Sequence, residues 1–125
     1  MGILTRRLEL AGDKGQADYE GLFDTGASYS FIRRDVAEQL ATLLPLVRPL
    51  SFETALEDQR LAATHVARLE FVLNDHRFSD EFIVLDNLAE SVIIGAKTMQ
   101  AWRMKLDMEH EEVILDPTVT RLRFI

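Results

Sequence analysis

An acidic residue directly after an apolar stretch is the first feature of this sequence that could do chemistry. Asp24 follows Leu22 and Phe23, and Thr25 and Gly26 come next. The apolar stretch predicts a strand, which would present the carboxyl group of Asp24 at a strand end as a candidate general acid or base. The plainer interpretation is a β-turn, because Asp and Gly are common turn residues. The tripeptide alone leaves both interpretations open.

Two further groups of residues make the pattern more specific. Ala27 and Ser28 follow the tripeptide directly. Much later in the chain, Ile93, Ile94 and Gly95 form an apolar-apolar-Gly segment. This segment predicts a short buried strand that ends at the glycine and leads into a short helix over residues 96–102. The combination is more informative than any one of its parts.

Strands must position these residues, because most of the chain alternates apolar and polar side chains with period two. The Gly and Asp residues at 12–15 predict a turn, so the chain opens with a hairpin whose second arm runs to Phe23. Residues 33–44 have apolar side chains at helical spacing and predict a helix of about three turns that stops at Pro45. Further strands are predicted at 50–55, 61–73, 82–85 and 91–94, with a last hairpin pairing 103–108 with 112–115.

Composition predicts one folded domain over residues 1–125. Hydrophobic residues make up 47% of the chain and charged residues 28%, which excludes long disorder. The net charge of −7 argues against nucleic acid and anionic membranes as partners. The absence of cysteine excludes disulfides and thiolate chemistry. No apolar run is long enough to span a membrane, so we expect a soluble, cytoplasmic protein.

From Leu4 to Leu115 the sequence resembles the retropepsin-like aspartic proteases, which include retroviral proteases and stand-alone bacterial homologues. The family motif, apolar-apolar-Asp-Thr-Gly-Ala-Ser/Asp, matches residues 22–28 at every position, and its Ile-Ile-Gly element matches residues 93–95. The resemblance implies an all-β, retropepsin-like half-barrel with one helix after the Asp-Thr-Gly region and a short one after Ile-Ile-Gly.

Site residues follow from the resemblance position by position. It implies that Asp24 is the catalytic acid, that Thr25 ties two active-site loops together and that Gly26 and Ala27 offer backbone contacts to substrate. Ser28 completes this loop, and the Ile93-Ile94-Gly95 segment packs beneath it. The family's substrate-covering flap falls between residues 52 and 71, which places its tip at Leu56, Glu57, Asp58, Gln59 and Arg60.

The sequence departs from the retroviral pattern at two places. Residues 50–67 hold no glycine, whereas retroviral flaps are glycine-rich at the tip, so opening would have to come from hinging near the hairpin base or from dimer breathing. Ala96 stands where retroviral members commonly have Arg, which we interpret as a mark of subfamily.

Aspartic proteases hydrolyse peptides with two carboxylates that share one proton. The tripeptide Asp-Thr-Gly occurs once in this chain, so the pair would be Asp24 and its own copy in a symmetric homodimer. The expected function is therefore aspartic endopeptidase, with a second copy and a peptide substrate as partners. The alternative is a catalytically silent dimerisation or peptide-binding module of the same fold.

Other residues give weaker indications of chemistry. His65, His76 and His110 lack the spacing of a zinc motif, so we predict no metal and no cofactor. Ser28 and Ser30 have no histidine at a motif distance, which argues against a serine hydrolase and favours hydrogen bonding to the Asp24 loop.

Overall fold

The computed structural model of the protein describes residues 2–53 and 60–124. Within these ranges the chain forms nine strands and two helices. Their order is β1 (Ile3–Gly12), β2 (Gly15–Asp24), β3 (Phe31–Arg33), α1 (Arg34–Leu40), β4 (Leu44–Glu53), β5 (Arg60–Leu73), β6 (His76–Leu85), β7 (Val92–Ile94), α2 (Ala96–Ala101), β8 (Lys105–Asp107) and β9 (Glu112–Ile114).

Seven of these strands form one curled sheet. Their order is β1-β2-β7-β3-β6-β5-β4, and β1 also pairs with β5, which closes part of the sheet into a barrel-like shape. Strands β8 and β9 pair separately as a hairpin. The expected all-β architecture, with a helix after the Asp-Thr-Gly region and a short helix after Ile-Ile-Gly, is confirmed.

The opening hairpin forms as the sequence predicts. Gly12 pairs with Gly15, so Asp13 and Lys14 make a two-residue turn, and the register runs without interruption to Ile3 opposite Asp24. Leu4, Leu8 and Leu10 are buried because they point to the core side of this twisted ribbon. Asp24 therefore stands at the last paired position of its strand.

Helix α1 is shorter than the predicted span of residues 33–44, and this prediction is wrong in extent. The helix ends at Leu40, whose carbonyl accepts the backbone N–H of Lys14 from the first hairpin turn. Ala41 is extended, and Pro45 lies in β4 opposite His65 rather than ending a helix. Proline is tolerated there because β4 is at an edge of the described sheet.

Strands β5 and β6 supply most of the aromatic core. Leu69, Phe71 and Leu73 are buried in alternation, as predicted, and Phe71 stacks on Phe78 of the facing strand with ring centroids 5.2 Å apart. The turn between the strands consists of Asn74 and Asp75, both with positive φ, which is the geometry of a tight two-residue hairpin.

The arms of the predicted flap hairpin are β4 and the first part of β5. Their pairing continues outward to Glu53 opposite Arg60. Arg60 is exposed, and its guanidinium lies 3.9 Å from the carboxylate of Glu53. The remaining residues of the predicted tip, Leu56, Glu57, Asp58 and Gln59, lie outside the described residues.

Neither α1 nor α2 is long enough to span a membrane.

Strand β7 positions the site because it lies between β2 and β3. It runs parallel to β2, with Phe23 opposite Ile94, and antiparallel to β3, with Phe31 opposite Ile93. The loop of residues 25–30 joins β2 to β3 and must therefore pass over the end of β7. Because parallel strands end at the same sheet edge, Asp24 and Gly95 come to lie side by side.

Candidate active site

Asp24 lies half-buried at the end of β2, at the start of a hydrogen-bonded turn. Its Oδ1 accepts the backbone N–H of Gly26 at 2.8 Å, and its carbonyl oxygen accepts the N–H of Ala27 at 3.1 Å. The first bond fixes the carboxyl group relative to the backbone, as in other turns led by aspartate, and the second closes the backbone turn. Within the described residues, Oδ2 takes part in no hydrogen bond or ion pair. The described residues thus hold one of the two carboxylate oxygens, Oδ1.

Residues 25–30, together with Asp24, form the Asp24 loop, and the start of α2 is its floor. Backbone N–H groups of Ala96 and Lys97 donate to the carbonyls of Ala27 and Ser28, at 2.7 and 3.2 Å. Gly95 packs directly against the loop, and a Cβ atom added to it would lie 2.1 Å from the carbonyl oxygen of Tyr29. Only glycine permits so close an approach of two backbone segments.

The residues before Gly95 anchor this floor in the sheet. Ile94 is fully buried opposite Phe23, and Ile93 is half-buried between β2 and β3. Their apolar character fits a short strand with neighbours on both sides. The structure thus brings the Ile93-Ile94-Gly95 segment and the Asp24 loop together.

Ser30 is the buried end of the loop. Its Oγ accepts the backbone N–H of Gly95 at 2.9 Å and lies 2.5 Å from the hydroxyl of Thr98, which in turn donates to Asp80. The expectation that Ser30 is a hydrogen-bonding partner matches this geometry, whereas Thr98 and Asp80 were not predicted. A polar residue at an inward position of the predicted helix was the only available signal for Thr98.

Thr25 is exposed and bonds within its own chain to Gly2. Its hydroxyl accepts the N–H of Gly2 at 2.8 Å and donates to the Gly2 carbonyl at 3.3 Å, while its own N–H donates to the same carbonyl at 3.0 Å. The residue before β1 is thereby held against the Asp24 loop.

Aromatic side chains join the Asp24 loop to the first arm of the flap hairpin. Phe52 of β4 meets the rings of Tyr29 and Phe31 edge to face, with centroids 5.9 and 5.1 Å apart. The amino group of Lys97 lies 4.2 Å above the ring of Tyr29 and donates to its hydroxyl at 3.2 Å. These contacts surround one side of the loop with apolar surface and a single cation.

The histidines do not assemble into a site. His65 lies on β5 and His76 on β6, whereas Nδ1 of His110 lies 2.7 Å from Oδ2 of Asp107 in the β8–β9 hairpin. Among residues 2–53 and 60–124 no three acidic or histidine side chains cluster as metal ligands would.

The sequence model of the retroviral aspartyl protease family matches residues 18–121, which include the Asp24 loop, its floor and both arms of the flap hairpin. The chain belongs to the retroviral aspartyl protease family. The match extends past the Asp24 loop through most of the chain.

Solved structures of retroviral aspartyl proteases and related domains share this fold. The retroviral protease-like domain of Ddi1 from Leishmania major is 18% identical, with a TM-score of 0.72 over 93% of this chain and 90% of that one. The EIAV protease, solved in complex with the inhibitor HBY-793, is 15% identical, with a TM-score of 0.58 over 86% of this chain and 94% of that one. At these identities the likeness supports the retropepsin-like fold.

Proposed function

We propose that the protein is an aspartic endopeptidase that works as a symmetric homodimer, with Asp24 of each copy forming the catalytic pair. The observation that carries this proposal is the carboxyl group of Asp24, which Gly26 holds through Oδ1 at a strand end, while Oδ2 has no hydrogen-bond partner among the described residues. One carboxylate cannot act as acid and base at once, and Asp-Thr-Gly occurs once in the sequence. A two-fold axis beside the Asp24 loop supplies the second.

The chemistry follows from two carboxyl groups a few ångströms apart, which share one proton because both cannot ionise. The ionised group takes a proton from a water molecule as the water oxygen bonds to the peptide carbonyl carbon. The protonated group gives its proton to the carbonyl oxygen, and a tetrahedral diol results. In the second step the carboxyl group that took the water proton gives it to the leaving nitrogen, and the other carboxylate takes a proton from one hydroxyl of the diol. The C–N bond breaks, a carboxylic acid and an amine result, and the pair again holds one shared proton.

Residues around Asp24 have supporting roles in this proposal. Gly26 and Ala27 offer backbone groups to an extended peptide, and the flap hairpin covers it. The hydroxyl of Thr25 would join the two loops across the axis, for which it exchanges its bonds to Gly2 for bonds to the partner. The backbone N–H of Thr25 would still hold the carbonyl of Gly2 after this exchange.

A catalytically silent binding module is the second candidate, and the first flap arm is the observation that favours it. Phe52 is packed against both Tyr29 and Phe31, and residues 50–67 contain no glycine. A hairpin held in this way resists the opening that a protease needs for turnover. It would still allow a peptide to bind along its edge.

Cleavage of an unfolded protein from about pH 3 to about pH 7 tests the proposal, because a shared proton requires at least mildly acidic conditions. Asp24→Asn is the control, since it keeps the size and the hydrogen bond from Gly26 but cannot ionise. We expect cleavage by the parent chain and none by the variant, with both folded by circular dichroism. Binding without cleavage by the parent would support the silent module, and equal cleavage by both would exclude Asp24 as the catalytic group.

A further inference from the structure

Two buried hydroxyl groups connect the Asp24 loop to a carboxylate on another strand. Ser30 and Thr98 are the polar residues that are almost fully buried in the described part of the chain, with exposures of 2% and 1%. Their oxygens are 2.5 Å apart, and Oγ1 of Thr98 lies 2.5 Å from Oδ2 of Asp80. Buried hydroxyls are costly unless they are fully paired. The burial of both hydroxyl groups therefore requires a structural explanation.

The number of hydroxyl protons determines which group donates and which accepts in each hydrogen bond of this series. An ionised carboxylate only accepts hydrogen bonds, so Thr98 must give its single hydroxyl proton to Asp80. Ser30 must then donate to Thr98, and its remaining lone pairs accept the N–H of Gly95. We call this series, from Gly95 through Ser30 and Thr98 to Asp80, the hydroxyl relay. All of its dipoles point toward one negative charge, and bonds aligned in this way strengthen one another.

Asp80 is itself held in place at the outer end of the relay. It lies half-buried on β6, and its other oxygen, Oδ1, accepts the backbone N–H of Glu81 at 2.7 Å. Both carboxylate oxygens are thus in use, one toward the relay and one toward its own strand. The strand is also tied to the loop directly, because Ile83 donates its N–H to the carbonyl of Ser30 at 3.0 Å.

Three hydrogen bonds connect the inner end of the hydroxyl relay to Asp24. Gly95 donates to Ser30, the adjacent Ala96 donates to the carbonyl of Ala27, and Ala27 donates to the carbonyl of Asp24. A shift of Ser30 would therefore move the floor on which the Asp24 turn rests. Small misplacements of a catalytic group cost large factors in rate.

We propose that Asp80 is a positioning residue, which holds the Asp24 loop in its working geometry through the hydroxyl relay. Its importance for rate rests on the proposed peptidase function, whereas its effect on the loop does not. Asp80 touches no reacting atom and acts through Thr98, Ser30 and Gly95.

Two substitutions at Thr98 separate the relay from simple packing. Thr98→Val keeps the volume and removes the hydroxyl, whereas Thr98→Ser keeps the hydroxyl and leaves a methyl-sized gap. A packing role predicts that the serine variant is the worse of the two. The relay predicts that kcat falls about tenfold or more in the valine variant with little change in KM, and stays within about twofold in the serine variant.

A second pair of variants tests Asp80 itself. Asp80→Ala removes the acceptor at the end of the relay, and we expect it to reproduce the fall in kcat of Thr98→Val. Glu81→Ala removes the same charge from the adjacent, exposed position and keeps the backbone N–H that bonds Asp80, so we expect parent-like kcat. Equal losses in the two variants would mean that charge rather than the relay matters, and would overturn the proposal.

Amide resonances of Gly95 and Gly26 give a readout that needs no cleavage. We expect Thr98→Val and Asp80→Ala to shift both amide protons and to speed exchange at Gly95, and Thr98→Ser and Glu81→Ala to leave them unchanged. Should the parent chain cleave nothing, the peptidase proposal fails while these shifts still decide whether Asp80 holds the loop. Unmoved resonances in Asp80→Ala, or moved resonances with unchanged kcat in an active enzyme, overturn the positioning role.

Discussion

The Asp24 loop can pack against the start of α2 because Gly95 has no side chain. A Cβ atom at this position would meet the Tyr29 carbonyl oxygen at 2.1 Å and that of Ala27 at 2.9 Å. Neither obstacle is a flexible side chain, so the loop or the strand must move. We expect Gly95→Ala to lower the free energy of unfolding by about 2 kcal/mol or more, measured by urea denaturation.

Gly15→Ala is the matched control for this prediction. A Cβ atom there has as its nearest neighbour the carbonyl oxygen of Gln39 at 3.5 Å, which is ordinary contact, and the φ angle of Gly15 is not positive. Its stability should be equal to that of the parent or slightly higher, because alanine restricts the unfolded chain. If Gly95→Ala unfolds at the same urea concentration as Gly15→Ala, the loop does not depend on this close approach.

At the scale of residues, the sequence predicts features that depend on consecutive residues, but not contacts between residues far apart in the chain. Asp24 and its loop follow from consecutive residue types, and the Ile93-Ile94-Gly95 segment from a short motif. Asp80 could not be found in this way, because it is one of many acidic residues and its role depends on which hydroxyl it faces. Such a partnership exists only once distant strands are in register.

At the scale of elements, the carboxylate of Asp13 fastens the first hairpin to the end of α1. Thr42 donates to it through its hydroxyl at 2.5 Å and its backbone N–H at 2.7 Å. These bonds, the hydroxyl first, lower the pKa of Asp13 from its usual value of 3.8. A lowered pKa in the folded state means that the contribution to stability is present above the unfolded value and is lost as the pH falls through the folded one.

Asp13→Asn should therefore lower the melting temperature near about pH 7, and the difference from the parent should close as the pH falls through the lowered pKa of Asp13, because the parent carboxyl is then protonated as well. The measurement is thermal unfolding followed by circular dichroism across this range. Asp75→Asn, on the turn between β5 and β6, removes an equal charge where the described residues offer its carboxylate no hydrogen bond. A difference that persists unchanged at low pH would refute the explanation.

The same contact explains why helix α1 could not be delimited from periodicity. Val36 and Leu40 lie on its buried face, and the spacing of Leu43 continues the pattern. The helix nevertheless stops at Leu40, where Asp13 and Lys14 take up the backbone groups that a further turn would use. Tertiary hydrogen bonds of this kind override local propensity, and they come from residues more than twenty positions away.

At the scale of the whole molecule, exposed apolar residues near the chain ends support the proposed dimer. Leu122 is 80% exposed and Phe124 is fully exposed, and Ile3 is half-exposed at the start of β1. In a symmetric pair these residues would lose that exposure. We expect the double variant Leu122→Ser, Phe124→Ser to weaken dimerisation at least about tenfold, measured by sedimentation equilibrium.

Val47→Ser is the control, because Val47 on β4 is equally exposed, at 99%, and far from the ends in sequence. It should leave the dimer intact. A parent chain that sediments as a monomer at high micromolar concentration would contradict the dimer itself. Equal weakening by both variants would indicate non-specific apolar contact rather than a defined interface.

The position of β7 between β2 and β3 also has a consequence for the order in which the protein is made. Asp24 and β3 leave the ribosome before β7, the strand that separates β2 from β3, because β7 is made only at residues 92–94. Until then β2 and β3 lack the strand that joins them in the folded sheet, and the Asp24 loop lacks the support of Gly95. In the proposed peptidase, a half-made copy therefore carries Asp24 without the floor of its loop and would not yet cleave neighbouring polypeptides.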